Sequence, residues 1–265
     1  MKTVTSADGT SIAFDLSGDG PPIIFVVGAF NDRSRCAPLA KLLEPRFTVI
    51  TYDRRGRGDS GDTAPYAIER EIEDLEALIV VAGGSAAVFG YSSGAVLSLK
   101  AAAHGSAITK LALYEPPFAV DDDRPRPPAD LPEQLTELIA AGRRGDAVEL
   151  FQTKGIGLPV ELVAQLRGSP FWPTLEGYAQ SLVYEATITR DLSSPTDKAL
   201  AAVTAPSLVL NGAETWPALR QAARAVADAL PGARHRILPG GQNHEFDPAV
   251  VAPALEDFLA GPDIR

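Results

Sequence analysis

Hydrophobic and polar positions along the first half of the chain switch repeatedly between two periods. SIAFDL, at 11–16, alternates apolar and polar side chains, the pattern of a half-exposed strand. PPIIFVVG, at 21–28, is an unbroken apolar run bounded by proline and glycine, as expected of a strand covered on both faces. RFTVITYD, at 46–53, repeats that pattern. Between Ala67 and Val81, Ile68, Ile72, Leu75 and Ile79 recur at helical spacing among Glu, Asp and Arg, which predicts an amphipathic surface helix. SAAVFG (85–90) then predicts a buried strand, AVLSLKAAAHG (95–105) a helix ending at Gly105, and ITKLALYE (108–115) a further strand. Such alternation requires right-handed crossovers. The expected fold class is therefore α/β, a mostly parallel twisted sheet flanked by helices.

The pattern breaks after Glu115. EPPFAVDDDRPRPPADLP, at 115–132, is too rich in proline and aspartate to be a sheet strand. Helical periodicity follows around Glu133–Ala140, Gly145–Thr153 and Val160–Leu166, and again in the aromatic-rich 169–188. No strand signal returns until APSLVLNG at 205–212. Residues 118–200 thus read as a helical insertion, with 1–117 and 201–265 forming one core. The insertion's Phe118, Phe151, Phe171, Trp172, Tyr178 and Tyr184 can line a pocket or form the insertion's own core, and for any single one the core is the commoner use. Pro217–Leu230 predicts a helix stopped by Pro231-Gly232, ARHRIL (233–238) a strand, and DPAVVAPALEDFL (247–259) a last helix with Asp247 as N-cap and Pro248 in its first turn.

Charge and cysteine usage narrow the partners. The net charge is -10, with no basic face, which argues against nucleic acid. Arg54, Arg55 and Arg57 do cluster, but they flank glycines and are expected to be a solvated loop. Cys36 is the single cysteine; it allows no internal disulfide and no zinc-ligand cluster, and suits a reducing cytoplasm. The N-terminus has no apolar signal region, and no apolar run is long enough to cross a bilayer. The expectation is a cytoplasmic protein with a small-molecule substrate, no cofactor, no metal and no membrane or nucleic-acid partner.

One short motif carries chemistry. Gly90-Tyr91-Ser92-Ser93-Gly94 fits G-x-S-x-G, between a predicted buried strand and a predicted helix. That is the context of a nucleophile held on a sharp strand-to-helix turn. Crowding there demands glycine two residues to either side. Ser92 satisfies this requirement, while Ser93 would have Tyr91 and Ala95 as flanks. Ser92 is therefore the candidate nucleophile, and the Ser93 backbone N–H a candidate oxyanion donor at the helix start. A serine needs a base. Of three histidines, His104 ends a predicted helix and His235 sits between arginines on a strand. His244 lies in PGGQNHEFDP, a glycine-rich loop after the last strand, and is the candidate base. Gly56-Arg57-Gly58-Asp59-Ser60-Gly61 fits G-x-G-x-x-G but no helix opens from it, so a turn is the better reading than a dinucleotide site.

Taken in order, IIFVVGAF, VITYDRRGRGDSG, VFGYSSGA, LVLNG and GGQNHEFDPAVVAPALEDFL resemble the α/β-hydrolase superfamily. The likeness covers nearly all of the chain outside the insertion, which is similar to that family's helical cap. It implies a second oxyanion donor in Val27-Gly28-Ala29-Phe30. Val27 stands where the family usually has histidine, but the donor would be the backbone N–H of Ala29. The family usually puts the triad aspartate shortly after the strand SLVLNG, and here that position is Thr215. The likeness leaves three possibilities: Glu115 at the end of the strand after the elbow helix, which is preferred, Glu214, or no strong carboxylate partner for the histidine. Phe30, Tyr91 and Trp172 are the candidate substrate-binding residues. The implied activity is hydrolysis of an ester, lactone or thioester through an acyl-enzyme. The alternatives are a lyase or cyclase using the histidine as base, and a ligand-binding protein with a vestigial site.

Overall fold

The computed structural model describes residues 1–120, 126–190, 192 and 200–261. In chain order it runs β1 (Lys2–Thr5), β2 (Ser11–Ser17), β3 (Pro22–Val26), α1 (Ala37–Leu43), β4 (Thr48–Tyr52), α2 (Ile68–Val81), β5 (Ala86–Tyr91), α3 (Ser93–His104) and β6 (Ile108–Tyr114). Five helices follow: α4 (Leu131–Ala140), α5 (Arg144–Leu150), α6 (Val160–Arg167), α7 (Trp172–Gly177) and α8 (Ala179–Thr189), with a π-helical turn at Phe151–Ile156. Then come β7 (Ser207–Gly212), α9 (Pro217–Ala229), β8 (Arg234–Leu238) and α10 (Pro248–Ala260).

The strands form one sheet in the order β1-β2-β4-β3-β5-β6-β7-β8. The β1–β2 and β2–β4 pairs are antiparallel, and every later pair is parallel. Strands β3, β5 and β7 carry the unbroken apolar runs because both faces are covered. One face packs against α2, α3 and α9, the other against α1 and α10. The helices between β6 and β7 have a separate apolar core, with Leu135, Val148, Phe151, Trp172 and Leu182 inside it and Ala29 and Phe30 packed at its edge. Chain order reverses across β3 and β5, so their carboxyl ends diverge into a crevice, the usual ligand position of such sheets.

Strand β1 and helix α1 carried too little periodicity to be read from sequence; each is short, and α1 is bounded by a 3-10 turn at Arg33–Cys36. The acidic-proline stretch partly falls on 121–125, outside the described residues.

The arginine cluster is corrected. Arg54, Arg55 and Arg57 are buried, not solvated. Each is matched by acids that are themselves inside. Arg54 forks onto Glu71 with distances of 2.6 and 2.7 Å, and its Nη1 reaches Glu185 at 2.6 Å. Arg55 forks onto Asp74 at 2.8 Å. Helix α2 is therefore not a simple surface helix, since Glu71 and Asp74 share its inward stripe with Ile72 and Leu75. Guanidinium groups survive burial because every charge has a bidentate or shared partner. Arg54→Leu will leave Glu71 and Glu185 buried without their shared cation. It should cost about 3–5 kcal/mol in urea unfolding; a loss below about 1 kcal/mol would mean that water replaces the arginine.

Candidate active site

The turn between β5 and α3 holds Ser92 at φ 57, ψ -126, a conformation that a residue with a side chain adopts only when its surroundings enforce it. Here Ser92 N–H donates to Tyr114 O at 2.9 Å, and Ser92 O accepts from Ala95 N–H at 2.9 Å. The flanking glycines are obligatory. A Cβ on Gly90 would lie 2.5 Å from Ala95 Cα, and one on Gly94 would lie 2.1 Å from Val26 O. Gly28 is equally tight, because its Cβ would meet Ser92 Cβ at 2.8 Å. The loop after β3 thus lies directly against the elbow.

The loop after β8 bends back over the sheet through Gly240 and Gly241, both at positive φ, and then through Asn243 and His244 at φ 54 and 66. Gly241 abuts Gly212 at the end of β7, where a Cβ on either would sit 2.5 Å from the other's Cα. Tyr91 OH donates to His244 O at 2.6 Å and Tyr114 OH donates to Glu245 O at 3.1 Å. The imidazole lies between the rings of Tyr91 and Trp216, with centroids 5.1 and 6.0 Å away.

Glu115 follows β6 at φ 48 and is fully buried. Its Oε1 accepts from Gly212 N–H at 2.9 Å. Its Oε2 accepts from Thr215 Oγ1 at 2.9 Å and meets His244 Nδ1 at 2.5 Å. Glu214 points elsewhere, accepting from Gln242 Nε2 on the surface. The threonine that occupies the expected aspartate position therefore donates to a carboxylate arriving from the neighbouring strand. His104 ends α3 as expected, and His235 sits on β8 with Nε2 2.7 Å from Asn211 Oδ1.

A cavity of about 450 Å³ opens over these groups, and Ser92, Ser93, His244, Ala29, Phe30 and Tyr91 all line it. Among the described residues, no hydrogen bond joins Ser92 Oγ to the imidazole, and the N–H groups of Ala29 and Ser93 meet no acceptor. Phe30 stands edge-on to Phe151 at 5.8 Å, joining the β3 loop to the helical insertion. Trp172 is corrected: it packs in the insertion's core with Nε1 donating to Glu176 Oε1 at 3.0 Å, and its neighbour Phe171 lines the cavity instead. A residue one step along a short helix turns through about 100°, so sequence alone could not say which of the two faced inward.

The family profile described as alpha/beta hydrolase family matches residues 23–254. The chain belongs to that family. An alpha/beta hydrolase from Sphaerobacter thermophilus superposes with a TM-score of 0.90 at 52% identity, covering 97% of this chain and all of that one. The enol-lactonase of Burkholderia xenovorans shares the fold with a TM-score of 0.69 at 22% identity, covering 98% of this chain and 100% of that one. Among curated relatives, 2-(acetamidomethylene)succinate hydrolase of Mesorhizobium japonicum is 27% identical across 91% of this chain and 89% of its own length. The match to an uncharacterized hydrolase of Bacillus subtilis, YraK, is 36% identical but spans only 34% of this chain and 35% of that protein.

In this alpha/beta hydrolase the buried arginines reach the site. Arg57 Nη1 donates to Gly28 O at 2.6 Å and to Asn31 O at 3.3 Å, and Arg54 Nη1 donates to Val27 O at 3.1 Å. Both guanidinium groups also hold Glu185 Oε1, which comes from α8 of the insertion. Burial alone would raise the Glu185 carboxyl. The charges of Arg54 and Arg57, with a smaller contribution from the Ser93 hydroxyl, outweigh it and leave the carboxyl below its ordinary range. Sequence reading missed this tie between loop and insertion. The available signal was Glu71, three residues beyond Ile68 and four before Leu75 on the stripe that faces inward.

Proposed function

We propose that this hydrolase cleaves an ester, lactone or thioester of a small molecule through an acyl-enzyme on Ser92, beneath a cap formed by the helical insertion. The observation that carries the reading is one cavity lined by both an elbow serine and an imidazole, the imidazole having its Nδ1 on a buried carboxylate that accepts two further hydrogen bonds. His244 Nε2 takes the Ser92 proton as Oγ attacks the carbonyl carbon. The electron pair moves to the carbonyl oxygen, which accepts from the Ala29 and Ser93 N–H groups. The imidazolium then protonates the leaving group. Water, deprotonated by the same ring, releases the acyl group and restores the serine. Glu115 keeps the proton on Nδ1, so that Nε2 is free to accept, and stabilises the imidazolium. The hydroxyl–imidazole hydrogen bond closes as substrate binds, as is common for catalytic pairs that are loose when empty. An ester-type bond fits the enol-lactonase that shares the fold, and a cytoplasmic setting fits the single, buried Cys36.

A fluorophosphonate probe will label the intact protein once, and peptide mapping will find the adduct on Ser92. Folded protein that stays unlabelled, or an adduct on another residue, overturns the assignment.

A further inference from the structure

A second hollow, of about 550 Å³, adjoins the catalytic cavity. The two share walls at Ala119, Leu158, Trp216, Leu219 and Asn243. They differ in character. Arginines and glutamates line the first, whereas among the described residues no charged side chain lines the second. The walls that belong to the second alone include Val120, Pro159, Leu162, Pro217 and Ala218. Leu162 stands on α6 beside the fully buried Val163, yet is itself 49% exposed. An apolar side chain that faces an apolar hollow gains from a guest that covers it.

The order of the sheet decides which part of a substrate reaches this hollow. Strand β5, which leads into Ser92, has β3 on one side and β6 and then β7 on the other. The loop after β3 brings Ala29 and Phe30, and the segments after β6 and β7 bring Ala119, Trp216 and Leu219. A carbonyl oxygen held by the Ala29 and Ser93 N–H groups therefore points toward the β3 side. The scissile bond faces His244. As the C–O or C–S bond breaks, the departing atom takes the electron pair and then the proton from Nε2. Trp216 stacks on this imidazole with centroids 6.0 Å apart, and Asn243 precedes it in the chain, so the second hollow opens on the histidine's side of the serine. We infer that the leaving group is an uncharged, apolar alcohol or thiol, seated past Trp216 against Leu162, Ala218 and Leu219. This rests on the acyl-enzyme reading above and narrows it to esters and thioesters whose leaving group is separate and apolar. A charged leaving group would lose its hydration among walls that offer it no counter-charge.

The test compares kcat/KM for two series of esters, with the released acid followed by titration, in the wild type, Leu162→Asp and Ala218→Phe. Ethyl, butyl and hexyl acetate lengthen the leaving group. Ethyl acetate, ethyl butyrate and ethyl hexanoate lengthen the acyl group by the same steps, so the end members are isomers of matched hydrophobicity. Wild-type kcat/KM will rise about two- to fourfold per methylene added to the alcohol, as apolar surface leaves water. Leu162→Asp puts a charge on the wall, and Ala218→Phe fills the hollow. Each will lower the ratio of hexyl to ethyl acetate by at least about tenfold, whatever happens to the ethyl acetate rate, and will leave the ratio of ethyl hexanoate to ethyl acetate within about twofold. The two positions lie on different helices, α6 and α9, so either variant decides the matter where the other folds poorly. A flat alcohol series, or variants that spare it or lower the acyl series equally, overturns the inference and leaves the hydrolase reading intact. Turnover of no ester by protein that fluorophosphonate labels at Ser92 does the same. No turnover of any ester together with no labelling overturns both.

Discussion

Alanine at position 92 will reduce kcat for a reporter ester by roughly 10³- to 10⁶-fold, the range over which triad serines are lost. The residue already sits at φ 57, and alanine keeps the Cβ that Gly28 accommodates, so the elbow should persist and urea unfolding should change little. The activity loss therefore reports chemistry, not collapse. The measurement also separates two mechanisms. If the serine only hydrogen-bonds while the histidine works as a base, Ser92→Ala will keep substantial turnover of the true substrate and His244→Ala will not. If the serine is the nucleophile, both variants are inactive and only the wild type traps an acyl adduct. Retained turnover in Ser92→Ala at more than about a tenth of the wild-type rate rejects the acyl-enzyme.

Glu115→Gln should lower kcat by about 10⁴-fold with little change in KM, the penalty known for the matching change in a serine triad. The cause is the wiring of the pocket. Gly212 N–H requires an acceptor, so the new amide oxygen will face it as Glu115 Oε1 does now. The NH2 then points at Thr215 and His244. Thr215 Oγ1 can turn to accept, but His244 Nδ1 must also accept, which moves its proton to Nε2. The ring then presents a donor to Ser92 and cannot take the hydroxyl proton. Steady-state kinetics on the reporter ester check this result. A fall of less than tenfold would mean that the imidazole keeps its tautomer by other means, and Glu214→Gln, which alters a surface contact with Gln242, serves as the control.

The sequence made the sheet and the elbow legible because both depend on local rules. Two-sided burial forces the unbroken apolar runs of β3, β5 and β7, and steric crowding forces Gly90 and Gly94 around one serine. His244 was legible by elimination, since a glycine-rich loop after a final strand can reach over the sheet and two other histidines had ordinary positions. The carboxylate beside the imidazole was only half legible. That Glu115 and not Glu214 meets His244 Nδ1 depends on β6 lying between β5 and β7, which is a property of the sheet and not of either segment. The arginines were misread because a charged run beside glycines looks like a surface loop. Their partners Glu71 and Glu185 lie far away in sequence, and only folding shows that the charges cancel inside. Trp172 failed for a smaller reason: neighbouring aromatics on a short helix face different ways.

The shared hold of Arg54 and Arg57 on Glu185 has a consequence for how the molecule comes apart. Helix α8 is the last α-helix of the insertion among the described residues, and peeling it from the sheet would strand two guanidinium groups in a dry interior with one counter-charge, Glu71, between them. That penalty falls on any half-detached form, so the insertion and the sheet gain or lose structure as one cooperative unit. The segment over the crevice is fastened at its root by charge, and whatever freedom it has belongs to its outer helices.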